Sequence, residues 1–158
     1  HALRRGPGLP HGRRRLPRRV VRVFLDTNVL ASAIATRGIC HDILHVTLAE
    51  HELVVGEAVL TELGRVLVRK FRLDADVAKE TDAFLRREAE VVGKAPRLGF
   101  VLRDADDIAV LEQAIAGASD VLVSGDRDFL DFASKAPVRI LSPRGFWDSL
   151  REDDATED

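Results

Sequence analysis

The apolar positions of this chain switch repeatedly between a period of two and a period near 3.6. Residues 20–25, "VVRVFL", form a β-branched apolar run that reads as a buried strand. Helical spacing follows over 28–36 and again over 39–50. "HELVVG" (51–56) reads as a second strand, and "EAVLTELGRVLVRKF" (57–71) as an amphipathic helix with Val59, Leu63, Val66 and Leu67 on one side. Residues 74–90 predict another helix with Asp74 as N-cap, and "EVV" (90–92) a short third strand. "GKAPRLGFVLR" contains Pro and Gly and reads as a connection. A helix over 106–118, a strand over 120–125, a short helix over 127–134 and a strand over 138–141 follow. Ser142 and Pro143 suit the N-cap and first position of a final helix. Strands alternating with helices predict a three-layer α/β/α fold around a central, mostly parallel sheet. In such sheets ligands lie beyond the carboxyl ends of the strands, so the residues just after each strand are the place to look for chemistry.

Those places hold acids. Asp26 ends the first strand, and Asp126 and Asp128 in "SGDRDF" follow the fourth. "RDADD" puts Asp104, Asp106 and Asp107 at the start of a helix, and Glu62 lies within the helix after strand two. Each has an ordinary structural explanation: Asp is a common N-cap, and a first-turn carboxylate gains about 0.3–1 kcal/mol from the helix dipole. Glu62 could equally pair with Arg65 three residues on. Helical geometry separates them further. At about 100° per residue, Leu111, Ala114 and Ala118 all fall within about 40° of Asp107, so Asp107 leads an apolar face while Asp106 points away. Glu62 similarly borders the face of Val59 and Val66. Carboxylates aimed at a core edge are costly unless neutralised, and one divalent cation can neutralise several. Oxygen donors of this kind suit Mg2+ or Mn2+, the combination used in metal-assisted phosphodiester hydrolysis.

Charge adds a second feature. The chain has 158 residues and a net charge of −2, yet residues 1–22 contain eight arginines and no acid. The rest carries 16 basic against 26 acidic residues. Residues 1–19 therefore read as a basic, flexible arm, residues 20–150 as one domain and residues 151–158 as an acidic, frayed tail. The arm is either a leader without a role or a segment drawn to nucleic acid or an acidic partner. No apolar run approaches the ~18–20 residues of a membrane span. The basic start lacks the apolar stretch of a signal peptide, the single Cys40 excludes an internal disulfide, and no Cys cluster is present to hold zinc. A cytoplasmic protein is expected. The sequence contains no methionine, which implies that its start has been processed or trimmed.

Taken together, "VFLDTNVLASA", "VLTELGRVL", "RDADDIAVLEQAIAGASDVLVSGDRDFL" and "ILSPRGFWDSL" resemble, in this order and spacing, the PIN-domain ribonucleases found as VapC-type toxins of prokaryotic toxin–antitoxin pairs. The resemblance covers Val20 to Leu150. It implies a catalytic, metal-binding quartet of Asp26, Glu62, Asp107 and Asp126, with Asp128 as an auxiliary metal ligand. It further implies that Ser124 orients Asp126 or a metal-bound water, that Asn28 orients Asp26, and that Mg2+ or Mn2+ is the cofactor. The activity implied is endonucleolytic cleavage of RNA. The partners implied are single-stranded or looped RNA, a cognate antitoxin and a second copy in a homodimer. Arg65, Arg69, Arg103 and Arg127, with Arg37, are candidate contacts to substrate phosphate. Each is alternatively an ordinary surface arginine.

Other functions fit less well. A PIN fold that binds RNA or protein without cutting would have no use for acids that repel phosphate, and a nuclease of RNA maturation would share the same site. Acyl-phosphate enzymes of the haloacid dehalogenase type carry DxDxT, whereas Asn28 stands two residues after Asp26. The turn after the first strand lacks a Gly-rich phosphate loop. "HDILH" sets His41 and His45 one helical turn apart, but no third ligand is near, and both read as surface histidines.

Overall fold

A computed structural model of the protein describes residues 19–157, with side chains through residue 152. Most of the arm expected over 1–19 lies outside the described residues. Five strands form one parallel sheet: β1 (Arg22–Leu25), β2 (Glu52–Gly56), β3 (Glu90–Val92), β4 (Val121–Val123) and β5 (Arg139–Leu141), in the order β3-β2-β1-β4-β5. The helices are α1 (Thr27–Ala35), α2 (Ile39–Glu50), α3 (Glu57–Arg69), α4 (Ala75–Glu88), α5 (Ala105–Ala116), α6 (Arg127–Phe132) and α7 (Pro143–Glu157). They complete the three-layer α/β/α arrangement that the alternating pattern predicts. Among the described residues, no helix is long and apolar enough to cross a membrane.

Every strand and helix expected from the pattern is present, with ends that differ by no more than two residues. The first strand starts at Arg22, not at residue 20, because Val20 is exposed and the Val21 N–H goes to the His51 imidazole. Over the residues expected as an acidic tail, α7 continues to Glu157. Ser142 does cap that helix, its hydroxyl accepting the Gly145 N–H at 3.0 Å.

β1 is central because Val23, Phe24 and Leu25 are wholly buried between helices on both faces. Its other end is fixed by Arg22. The guanidinium reaches Glu52 and Glu90, each at 2.7 Å, and donates to the Gly117 carbonyl. One side chain thereby ties β1, β2, β3 and the turn after α5. The topological switch lies at the opposite end, where the chain leaves β1 for β2 on one side and β4 fills the other.

The start of α3 depends on Gly56. Gln113 of α5 accepts the Ala58 N–H at 3.0 Å, standing in for the missing N-cap side chain. A Cβ on Gly56 would collide with that same amide oxygen. Gly56→Ala must therefore displace Gln113, which is buried, and is expected to cost about 1–3 kcal/mol of stability. Denaturant melts would read this as a lowered midpoint. An unchanged midpoint would mean that α3 shifts freely.

Candidate metal centre

Asp26 is the most buried of the candidate metal-binding acids, 6% exposed, at the step from β1 to α1. Its Oδ1 accepts the Val29 N–H at 2.9 Å, so it caps α1. Its Oδ2 accepts the hydroxyl of Ser124, which is wholly buried beyond the end of β4. The Ser124 oxygen also accepts the Asp126 N–H at 2.9 Å. Ser124 thus joins the exits of the two central strands across the switch point. Two accepted bonds leave lone pairs on both oxygens of Asp26 for a further ligand. The Asn28 side chain is exposed, and the bonds that hold the Asp26 carboxylate come from Val29 and Ser124.

The three aspartates of "RDADD" have different surroundings. Asp104 is the N-cap of α5, its Oδ1 accepting the Asp106 N–H at 2.9 Å. Asp106 is exposed. Asp107 turns inward to meet Asp126 and Asp128, and one carboxylate oxygen from each of these three lies within 4.8 Å of the others. Asp126 in turn caps α6 through the Asp128 N–H. Asp26 and Glu62 stand outside this trio; Asp26 interacts electrostatically with Asp107 and Asp126, and Glu62 acts on Asp26. Glu62 receives the hydroxyl of Thr27 at 3.1 Å, a bond from the residue beside Asp26 and not from Arg65.

The crowding shows in the acidities. Burial, reinforced by Asp126, Asp104, Asp128 and Asp26, pushes Asp107 up to about 7. Burial also raises Asp26, with Asp126 and Glu62 adding to it, against the lowering effect of its bonds from Ser124 and Val29. A cluster whose members hold protons against one another is one that a cation would stabilise. Its donors are all hard carboxylate oxygens, which suit Mg2+ or Mn2+ better than softer metals.

Of the candidate phosphate-binding arginines, Arg103 reaches the cluster, with its Nη2 at 3.0 Å from Asp128 Oδ1. Arg65, Arg69, Arg127 and Arg37 are exposed. The rings of His41 and His45 meet at a 45° tilt with centres 4.4 Å apart, and His41 Nδ1 lies 3.2 Å from the Ala33 carbonyl. Sequence reasoning misses two positioning residues. Thr27 follows Asp26 directly, and a hydroxyl in the first turn of α1 was the available signal. Glu112 is 4% exposed and accepts the Leu98 N–H at 2.8 Å, holding the 93–104 connection onto α5. Nothing in its local pattern announces that contact.

No curated protein matches the chain. Among solved structures it is similar to VapBC2 from Rickettsia felis, bound to a DNA fragment from the VapBC2 promoter, with a TM-score of 0.56 and 20% identity over 76% of this chain and 96% of that one. It is also similar to a domain of a functionally unknown protein from Methanocaldococcus jannaschii (TM-score 0.51, 17% identity, 77% and 89% covered). A PilT N-terminus domain protein from Sulfolobus solfataricus gives a TM-score of 0.51 at 15% identity, with 81% and 92% covered. At these identities the likeness concerns the fold. The family follows from the sequence profile of the PIN domain, which matches residues 22–128 and so spans β1, the switch point and every acid of the cluster. The chain belongs to the PIN domain family.

Proposed function

We propose that this protein is a metal-dependent endoribonuclease, the toxin of a toxin–antitoxin pair. The observation that carries the reading is the convergence of Asp107, Asp126 and Asp128 within 4.8 Å beside the buried Asp26. The four acids Asp26, Glu62, Asp107 and Asp126 would hold Mg2+ or Mn2+, directly or through water, with Asp128 as a further ligand. Such a cation supplies Lewis acidity, activates water for in-line attack at phosphorus and stabilises the leaving oxygen.

The chain's own residues prepare the site for it. Ser124 fixes the Asp26 carboxylate and the turn that carries Asp126. Thr27 orients Glu62. Asp107 must release a proton before it can ligate, and with its acidity near 7 it does so around neutrality. The fully ionised cluster repels RNA phosphate, so substrate would bind after the cation has neutralised the acids. Arg65, Arg69, Arg103 and Arg127 are the proposed phosphate contacts. A single-stranded or looped RNA suits an acidic site at strand ends better than a duplex does. Cleavage would leave a 5′-phosphate and a 3′-hydroxyl, with no part for the 2′-hydroxyl.

The toxin role and an antitoxin partner draw on the likeness to VapBC2; a homodimer and a cytoplasmic location are proposed with them. The test is to incubate the protein with single-stranded RNA in Mn2+ or Mg2+ and sequence the new ends. Cleavage is expected with metal, and loss of it in EDTA or in Asp126→Asn. Undiminished cutting in EDTA would overturn the reading.

A further inference from the structure

We infer that Arg103 is a built-in counter-cation of the acidic centre: it neutralises Asp128 while no divalent cation is bound, and is released to an RNA phosphate when one is. The inference rests on the proposed nuclease reading and adds to it a competition within the chain.

The contact is specific. Arg103 Nη2 lies 3.0 Å from Asp128 Oδ1, and Asp128 is one of the three acids whose oxygens converge. A divalent cation ligated by Asp107, Asp126 and Asp128 would share that carboxylate with the guanidinium and repel it. The exchange is asymmetric in cost. The Arg103 side chain is 84% exposed, and ion pairs this exposed are worth little, so it is readily given up. A divalent cation gathers three carboxylates at once.

The backbone near Arg103 is anchored at a few points on either side, while its side chain is exposed. Leu98 is tied to the buried Glu112, the Phe100 ring packs edge-on against Phe132 with centres 5.8 Å apart, and Asp104 is the N-cap of α5. The released guanidinium therefore stays at the mouth of the site, over the groove lined by Val101, Leu102, Asp128, Asp131 and Phe132. Its planar fork of donors matches a phosphate as well as it matched the carboxylate.

Arg103→Ala tests both halves, with Arg103→Lys as the charge-retaining control. Mn2+ binding to the RNA-free protein is measured by calorimetry at low ionic strength, and KM by RNA cleavage. Arg103→Ala is expected to bind Mn2+ about two- to five-fold more tightly, the factor that an exposed ion pair supports, and to raise KM for RNA by more than it lowers kcat. Arg103→Lys should fall between Arg103→Ala and wild type on both counts. Equal Mn2+ affinity in wild type and Arg103→Ala overturns the proposal alone, as does an unchanged KM. Failure of the wild type to bind Mn2+ overturns the nuclease reading and this proposal with it.

Discussion

Asp26→Asn is expected to lower RNA cleavage by on the order of 100-fold or more, since the loss of even an outer partner of a metal ligand typically costs 10–100-fold. The fold should survive. An Asn oxygen can still accept the Val29 N–H, and its amide can donate to Ser124, whose oxygen can accept more than one bond. What disappears is the most buried carboxylate of the cluster, the one crowded by Asp126 and Glu62. The variant should therefore melt at or above the wild-type temperature in EDTA, and in Mn2+ cut RNA at no more than about a hundredth of the wild-type rate. Cleavage within ten-fold of wild type would remove Asp26 from the reaction. A collapsed melting temperature would make it chiefly a helix cap.

The second large effect concerns pH and metal together. Asp107 sits at about 7 in the folded chain against an ordinary value of 3.8, so the folded state binds that proton more tightly than the unfolded state does. Stability contributed by the proton is present below the unfolded value and is lost as pH rises through about 7. Asp26 is shifted in the same direction. Glu57 opposes them, because the Arg86 guanidinium lowers it, but its contribution is complete above the ordinary glutamate range. Thermal melts in EDTA should thus fall between pH 5 and 7, and the fall should shrink in Asp107→Asn. Mn2+ at about 100 times its dissociation constant should add about 2.7 kcal/mol at pH 8. At pH 5, where protons hold the site, it should add much less. A slope unchanged by Asp107→Asn, or an Mn2+ effect that is equal at both pH values, would contradict the crowded-acid account.

The sheet was legible because its strands are short apolar runs set between turn residues and amphipathic helices. The centrality of β1 follows from "VFL", where three consecutive positions have to be buried on both faces. The exit acids were legible for the same reason: topology alone sends ligands to those ends. Within "RDADD", the helical wheel separated Asp107 from Asp106, and that separation matches the inward turn of the former and the exposure of the latter.

Contacts between residues far apart in the chain were not legible. Ser124 reaches Asp26 across 98 positions, and Thr27 reaches Glu62 across 35. Neither pairing leaves a periodic trace. Glu112 and Gln113 are a further case: both are buried, because α5 has the 93–104 connection over one side and the start of α3 against another. The hydrogen bonds that compensate their burial come from backbone N–H groups that only the folded chain brings near.

The placement of β1 also sets how the centre responds to fluctuation. Backbone amides of Val23 to Leu25 lie in the middle of five strands, so their hydrogen exchange with solvent requires opening of the whole domain. The amides of the 93–104 connection have far fewer partners and can exchange through small, local openings. The cluster therefore straddles two regimes. Asp26 and Ser124 belong to the slowest-exchanging part of the protein, while Arg103 and the first turn of α5 border the fastest. Amide protection measured with and without Mn2+ would be expected to change on the α5 side and to leave β1 as it was.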